Sequence, residues 1–262
     1  MKNNLLKPTW LRGIAVCAML FCGIQLSAQV VNIESKRMQT DSIRFALRGD
    51  VSANYTDNDG QYIWQTGTNI TTQLKSKNYK TLYFLLGDYN LIKSAEKDFQ
   101  NSWFLHFRVN HKLSNLVRLE SYIQSQNNKI LDVKARNLVG AGIRLKAIST
   151  DNVSLYIGEG YMYESETAQV DGSVEQNHRN SAYLSASIHF PNNRVELINT
   201  VYYQARYKNW SDYRILEQFK LDIALSNRLN YFTILDYFYD SLTPRDRSQY
   251  SFRIKFGVGL KI

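Results

Sequence analysis

The stretch from Asn101 to Leu145 limits this chain to few folds. Trp103, Leu105, Phe107 and Val109 share one parity and are all apolar, whereas Phe104, His106, Arg108, Asn110 and Lys112 share the other and are polar except for the phenylalanine. A period of two with opposite character on its two phases is a β-strand separating two media. The pattern returns with Val117, Leu119 and Ile123 against Arg118, Glu120, Gln124 and Gln126. It returns again with Val139, Ala141, Ile143 and Leu145 against Arg136, Arg144 and Lys146. A soluble sandwich would put the apolar parity inside. A transmembrane barrel puts it outward into lipid, over strands of about ten residues.

The amino end supplies the compartment. Lys2, Lys7 and Arg12 precede a short apolar core from Gly13 to Leu26, and Leu26-Ser27-Ala28 forms a small-residue cleavage site. Residues 1–28 therefore read as a secretory signal peptide, too short in its core for an anchor helix. Cys17 and Cys22 both lie within it, preceded by Val16 and Phe21 where a lipoprotein cysteine needs a small residue. The mature chain then has no thiol chemistry and no disulfide framework. Its formal charge falls from +9 to +6 with the loss of three cations, spread without a basic run, so no nucleic-acid partner is expected. No later segment is long and apolar enough for a transmembrane helix, so an envelope protein of this pattern spans as a closed barrel or not at all.

Residues 29–41 are polar and aperiodic, a short periplasmic lead, and residues 42–262 form the barrel. The first strand sets Ile43, Phe45, Leu47, Val51 and Tyr55 against Arg44, Arg48, Asp50 and Asn54, and ends at the hairpin signal Asp57-Asn58-Asp59-Gly60. The second sets Tyr62, Trp64, Ile70 and Leu74 against Gln61, Gln65, Asn69 and Gln73. The third, Thr81 to Leu91, is apolar on both parities, which leaves its facing open. After a polar loop from Lys93 to Phe99 and the three strands above come Val153 to Tyr163, Ala182 to Phe190, Val195 to Tyr207, Tyr213 to Leu225, Leu229 to Tyr239 and Tyr250 to Ile262. The reading is all-β, a transmembrane up-and-down antiparallel barrel of about twelve strands.

Tight turns at Leu113-Ser114-Asn115, Ser149 to Asn152, Pro191-Asn192-Asn193 and Ser226-Asn227 alternate with longer links, above all Glu164 to Arg179. With both termini periplasmic, every tight turn is periplasmic and the long links are outside. Trp64 and Trp103 then mark outer strand ends, and Trp210 an outer loop near Tyr207 and Tyr213, where interfacial aromatics belong. Glu159 and Glu217 fall on the lipid parity. A bulge at Gly158 and Gly160 would move Glu159 off it, whereas Glu217 has no such device.

Val31-Asn32-Ile33-Glu34, the Asn101 to Asn110 stretch, Glu120 with Gln124, and Leu138-Val139-Gly140-Ala141-Gly142-Ile143-Arg144 resemble the DUF481 (YdiY-like) outer-membrane proteins. The resemblance covers most of the mature chain and implies an envelope barrel with no assigned reaction. At the carboxyl end Phe256, Val258 and Leu260 alternate as a barrel-ending signal does, although the chain closes on Ile262 where an aromatic is commoner.

The chemistry is sparse. A barrel hydrolase needs a serine and a histidine together, with a third group orienting the histidine. His178 and Ser181 are the nearest approach, without an orienting acid, and read as loop polarity. His106, His111 and His189 lack metal-ligand spacing, and no cofactor is implied. The lumen is richer. Pairing the fourth and fifth strands about Ser114 sets Arg108 opposite Glu120, Asn110 opposite Arg118 and His106 opposite Tyr122, with Val109 on Leu119 and Leu105 on Ile123 outside. Gln124, Arg136, Arg144, Lys220 and Asp222 complete the polar lining. Trp103, Leu105, Phe107, Val109, Leu119 and Ile123 face the outer-membrane lipid.

Two function classes follow, and neither is enzymatic. The favoured one is a structural or assembly-associated envelope protein whose polar lumen is largely filled, meeting envelope partners through outer loops. The alternative is a passive channel or binding barrel for small polar or anionic solutes. An outer-membrane lipid hydrolase is a distant third.

Overall fold

The computed structural model describes residues 43–58, 61–94, 100–128, 133–169, 171–190, 194–242 and 250–261. The residues read above as a leader (1–28), a periplasmic lead (29–41) and turns at Asp59-Gly60 and at Pro191 to Asn193 lie outside them. The strands are β1 (Phe45–Asn58), β2 (Gln61–Lys75), β3 (Thr81–Ser94), β4 (Gln100–Lys112), β5 (Val117–Asn128) and β6 (Val133–Ser149). They continue as β7 (Val153–Ala168), β8 (Val174–His189), β9 (Val195–Arg206), β10 (Asn209–Ala224), β11 (Leu229–Asp240) and β12 (Tyr250–Lys261). Each pairs antiparallel with its neighbours in the chain, and β1 pairs with β12 to close the barrel. Closure satisfies the backbone edges that an open sheet would leave bare.

The two faces are inverted relative to a soluble protein. Along β4, Ser102, Phe104, His106, Arg108 and Asn110 are buried while Trp103, Leu105 and Phe107 are exposed, with Val109 half-buried. On β5, Leu119 and Ile123 are exposed, and Glu120 and Gln124 buried. Burial also fixes β3, which periodicity left open. Phe84 and Leu86 point inward and pack with Phe104, whereas Tyr83, Leu85, Tyr89 and Leu91 point outward.

Four expectations need correction. The β4–β5 register is displaced by two residues: Arg108 lies opposite Tyr122, Asn110 opposite Glu120, His106 opposite Gln124, Val109 opposite Ser121 and Leu105 opposite Ser125. The hairpin is centred on Asn115, because Leu113 N–H bonds to Val117 O while Ser114 Oγ accepts from the Leu116 and Val117 amides. A shift of two keeps every side chain on its face, so parity alone cannot detect it.

The supposed loop from Glu164 to Arg179 is mostly sheet. β7 and β8 stay paired from Met162↔Arg179 to Thr167↔Val174, leaving a short turn. Here the outward positions Ser165, Thr167 and Gln176 are polar too, so the alternation vanishes while the ladder continues. Trp210 likewise belongs to β10 and not to a loop, and β9 and β10 are joined by Tyr207 and Lys208 alone. Connections at the two ends of the barrel are therefore closer in length than expected. Finally, β6 and β7 pair without interruption through Gly142↔Gly160 and Arg144↔Gly158. No bulge turns Glu159, which remains outward and exposed.

A topology test follows. If the end opposite the termini is external, an epitope inserted between Asp171 and Gly172 should be bound by antibody on intact cells. One placed at Ser226-Asn227 should be bound only after permeabilisation. The reverse pattern would invert the barrel.

Candidate functional site

Among the described residues, most charged side chains inside the barrel gather into three ionic clusters. The first is built on Glu164, fully buried near the end of β7 remote from the termini. Arg136 of β6 donates to it through Nε at 3.1 Å and through its terminal nitrogen. Arg214 of β10 reaches both carboxylate oxygens at 3.0 Å, and Arg179 of β8 lies 3.9 Å away. The three guanidiniums have further acids: Asp240 for Arg214 at 2.8 Å, Asp212 for Arg179 at 3.1 Å and Glu166 for Arg136 at 3.5 Å. Arg206 joins through Asp212 at 2.8 Å. Arginine suits such a site because its rigid fork of donors bridges several acceptors and stays charged.

The second cluster centres on Glu120. It accepts a hydrogen bond from the Tyr183 hydroxyl at 2.7 Å and stands 3.5 Å from both Arg108 and Arg144. The guanidiniums are braced from the side by aromatic faces, Arg108 over Tyr122 at 5.2 Å and Arg144 over Tyr156 at 3.8 Å, a favourable placement for a cation. Glycine makes room for the rings. A Cβ on Gly140 would run into the Tyr122 ring, and one on Gly158 into that of Tyr183. His106 stacks between Phe104 and Tyr122 and shares a hydrogen bond at 3.1 Å with Gln124.

The third cluster lies towards the termini. Arg48 bridges Asp50 at 2.7 Å and Asp222 at 3.0 Å, and Lys220 reaches Asp222 at 2.7 Å. Asn230 also donates to Asp222 at 2.9 Å.

The sequence-derived lining residues thus divide among different clusters. Arg108, Glu120 and Arg144 meet, and His106 and Gln124 adjoin them. Asn110 is buried beside Glu120 in the register. Arg136 does not join Glu120, as its side chain turns to Glu164. Arg118 is half-buried, placed between Lys112 and Arg144 on the neighbouring strands. Lys220 pairs with Asp222, which also pairs with Arg48. Sequence reasoning missed Glu164, Arg179, Asp212 and Arg214. Arg214 shares the parity of Lys220 and Asp222 and was open to discovery. Glu164 and Arg179 carried no signal, because the alternation fails around them. His178 and Ser181 lie on opposite faces of β8: His178 is exposed and bonded to the Tyr161 hydroxyl, whereas Ser181 is buried and accepts from Gln204 at 3.4 Å. They cannot act as a nucleophile and its base.

Contacts within the clusters cross the lumen as chords. Glu164 and Arg214 stand three places apart in the ring of strands, as do Glu120 and Tyr183, and Arg48 and Asp222. Lys255 and Asp88, 3.9 Å apart, bridge β12 and β3 in the same way. A cavity of about 50 Å³ remains between them, lined among others by Arg108, Glu120, Tyr122, Met162, Tyr183 and Gln204.

A family model described as "Protein of unknown function, DUF481" matches residues 29–262. No curated protein matches the sequence. Among solved structures, an outer membrane channel from Pseudomonas putida F1 is 7% identical and superposes with a TM-score of 0.53, over 86% of this chain and 100% of its own. The NanC porin is 10% identical, with a TM-score of 0.48 over 82% of this chain and 97% of its own. The KdgM porin, also 10% identical, gives 0.47 over 82% and 98%. The likeness to the Pseudomonas channel is one of fold, that of a closed outer-membrane β-barrel.

Proposed function

The chain belongs to the DUF481 family, and from its inverted faces and cross-braced lumen we infer an integral outer-membrane barrel, closed by its own side chains, with a structural or assembly-associated role in the envelope. The inverted faces support residence in lipid: an apolar exterior over polar, ion-paired contents is stable where the outside medium is hydrocarbon. Closure rests on one observation, the chords. A carboxylate on β7 held by arginines on the neighbouring β6 and β8 and on β10, a quarter of the ring away, ties that part of the wall together through the lumen. Small barrels are commonly filled in this way by their own residues.

The measurement is made on purified, folded protein. It should fractionate with the outer membrane and migrate differently before and after boiling in a detergent gel. In planar bilayers it should give little or no stepwise current. Recovery as a soluble periplasmic species would end the membrane reading.

The second reading, a passive route for small polar or anionic solutes, draws on the cavity beside Arg108 and Glu120. Its space holds only a few water molecules. Steady anion-selective current from the wild type would favour it over the closed barrel.

A further inference from the structure

Two acidic residues face outward within the apolar band of the wall among the described residues, Glu159 on β7 and Glu217 on β10. Val153, Leu155 and Ile157 precede Glu159 on its outward face, and Tyr161 and Tyr163 follow it. Ile223, Leu221 and Phe219 lie below Glu217, and Ile215 and Tyr213 above it. Each is exposed, and each accepts a hydrogen bond from an asparagine on the adjacent inner strand. Asn180 of β8 donates to Glu159, and Asn199 of β9 donates to Glu217 at 2.9 Å. A carboxyl group with one amide partner is poorly placed against hydrocarbon at mid-wall.

Both acids fall in one sector of four strands, about 14 Å across at ~4.8 Å per strand. Crossing it from β7 to β10, the order is acid, amide, amide, acid. Between the two pairs the β8 face carries Ala182, Leu184 and Ala186 and the β9 face Leu197, Val201 and Tyr203, so small side chains on one strand are available to receive large ones from the other.

We propose that this β7–β10 face is where a second copy of the chain docks, the two barrels being related by a two-fold axis parallel to their own axes. The proposal rests on the membrane reading given above. Under such an axis β8 of one copy meets β9 of the other, and β7 meets β10. The Glu159–Asn180 pair of one barrel is thereby brought to the Asn199–Glu217 pair of the other. Two carboxyl groups and two amides close into one hydrogen-bonded cluster on each side of the axis, and the alanines sit at the line of closest approach. The reversed order of the two pairs makes the surface complementary to itself, as an isologous contact requires. Lipid tails offer the carboxyl groups no donor, and an unrelated protein would have to reproduce the same pattern.

The test uses the full chain in native outer membranes. Leu184→Cys, at the centre of the face, is treated with a bis-maleimide beside Ile70→Cys, which lies on β2 diametrically opposite and carries the same native cysteines. A product of twice the chain mass at Leu184→Cys, absent at Ile70→Cys, is expected. Adding Glu159→Leu with Glu217→Leu should abolish it while the heat-modifiable monomer band persists. No product above the Ile70→Cys background would overturn the proposal, as would a product of any other mass or a dimer indifferent to the leucines. Absence of a heat-modifiable band in the Ile70→Cys chain would instead remove the membrane reading, and the dimer with it.

Discussion

Glu164→Ala is expected to lower the free energy of unfolding by about 3–5 kcal/mol, the usual cost of breaking a buried ion pair from one side. Glu164 is fully buried and serves Arg136, Arg179 and Arg214 together. Its loss leaves three guanidiniums converging on a void. Each retains another acid, Glu166, Asp212 or Asp240, which keeps the penalty within that range. Glu164→Gln preserves the shape and one acceptor oxygen, and should fall between alanine and wild type. Urea unfolding of the barrel refolded in detergent measures the difference. An exposed pair is worth only about 0–1 kcal/mol, so an unchanged midpoint for Glu164→Ala would mean that water reaches the cluster and that the chord does not hold the lumen closed.

Glu120→Ala should produce the second large effect, with stability and conductance read on the same protein. The substitution takes the acceptor from the Tyr183 hydroxyl and the carboxylate from between Arg108 and Arg144. Both arginine contacts are long, 3.5 Å, beyond the range of a strong charge-assisted hydrogen bond. The loss should therefore sit near the lower end of the buried-pair range, at about 3 kcal/mol. In a closed barrel the unfolding midpoint falls clearly and the wild type passes little current. In a wet channel the midpoint barely moves, and the variant passes anions more readily because a lumen carboxylate has gone. Near-wild-type stability combined with a stronger anion current would replace the closed barrel with the pore.

These two glutamates also show where the sequence stops. Parity alone assigned Glu120 to the same face as Arg108, His106 and Gln124, and assigned Leu119 and Ile123 to the other, because successive side chains on a strand must alternate. It could not set their heights. A hairpin centred on Ser114 and one centred on Asn115 leave the faces identical, and the Leu113 backbone bond to Val117 together with the Ser114 side-chain bonds to the turn amides marks the second. Arg108 and Glu120 still meet, diagonally instead of directly opposite.

Glu164 marks a harder limit. Around it the outward residues become polar, so the period of two disappears although strand pairing continues to Thr167↔Val174. Its partners Arg136, Arg179 and Arg214 lie on three other strands, one of them across the lumen. No local pattern records such a meeting. Likewise Phe84 and Leu86 were indistinguishable by polarity from Tyr83 and Leu85, and only the direction of the wall turned one pair inward.

The chain's own alternation therefore determined an all-β barrel with a polar inside and an apolar outside, since that property is written residue by residue along each strand. Register, the division of the lumen into three clusters, and the placing of Glu159 and Glu217 with their asparagines in one outward sector were decided by closure. They depend on how twelve strands are staggered against one another, and that relation exists only once β1 has met β12.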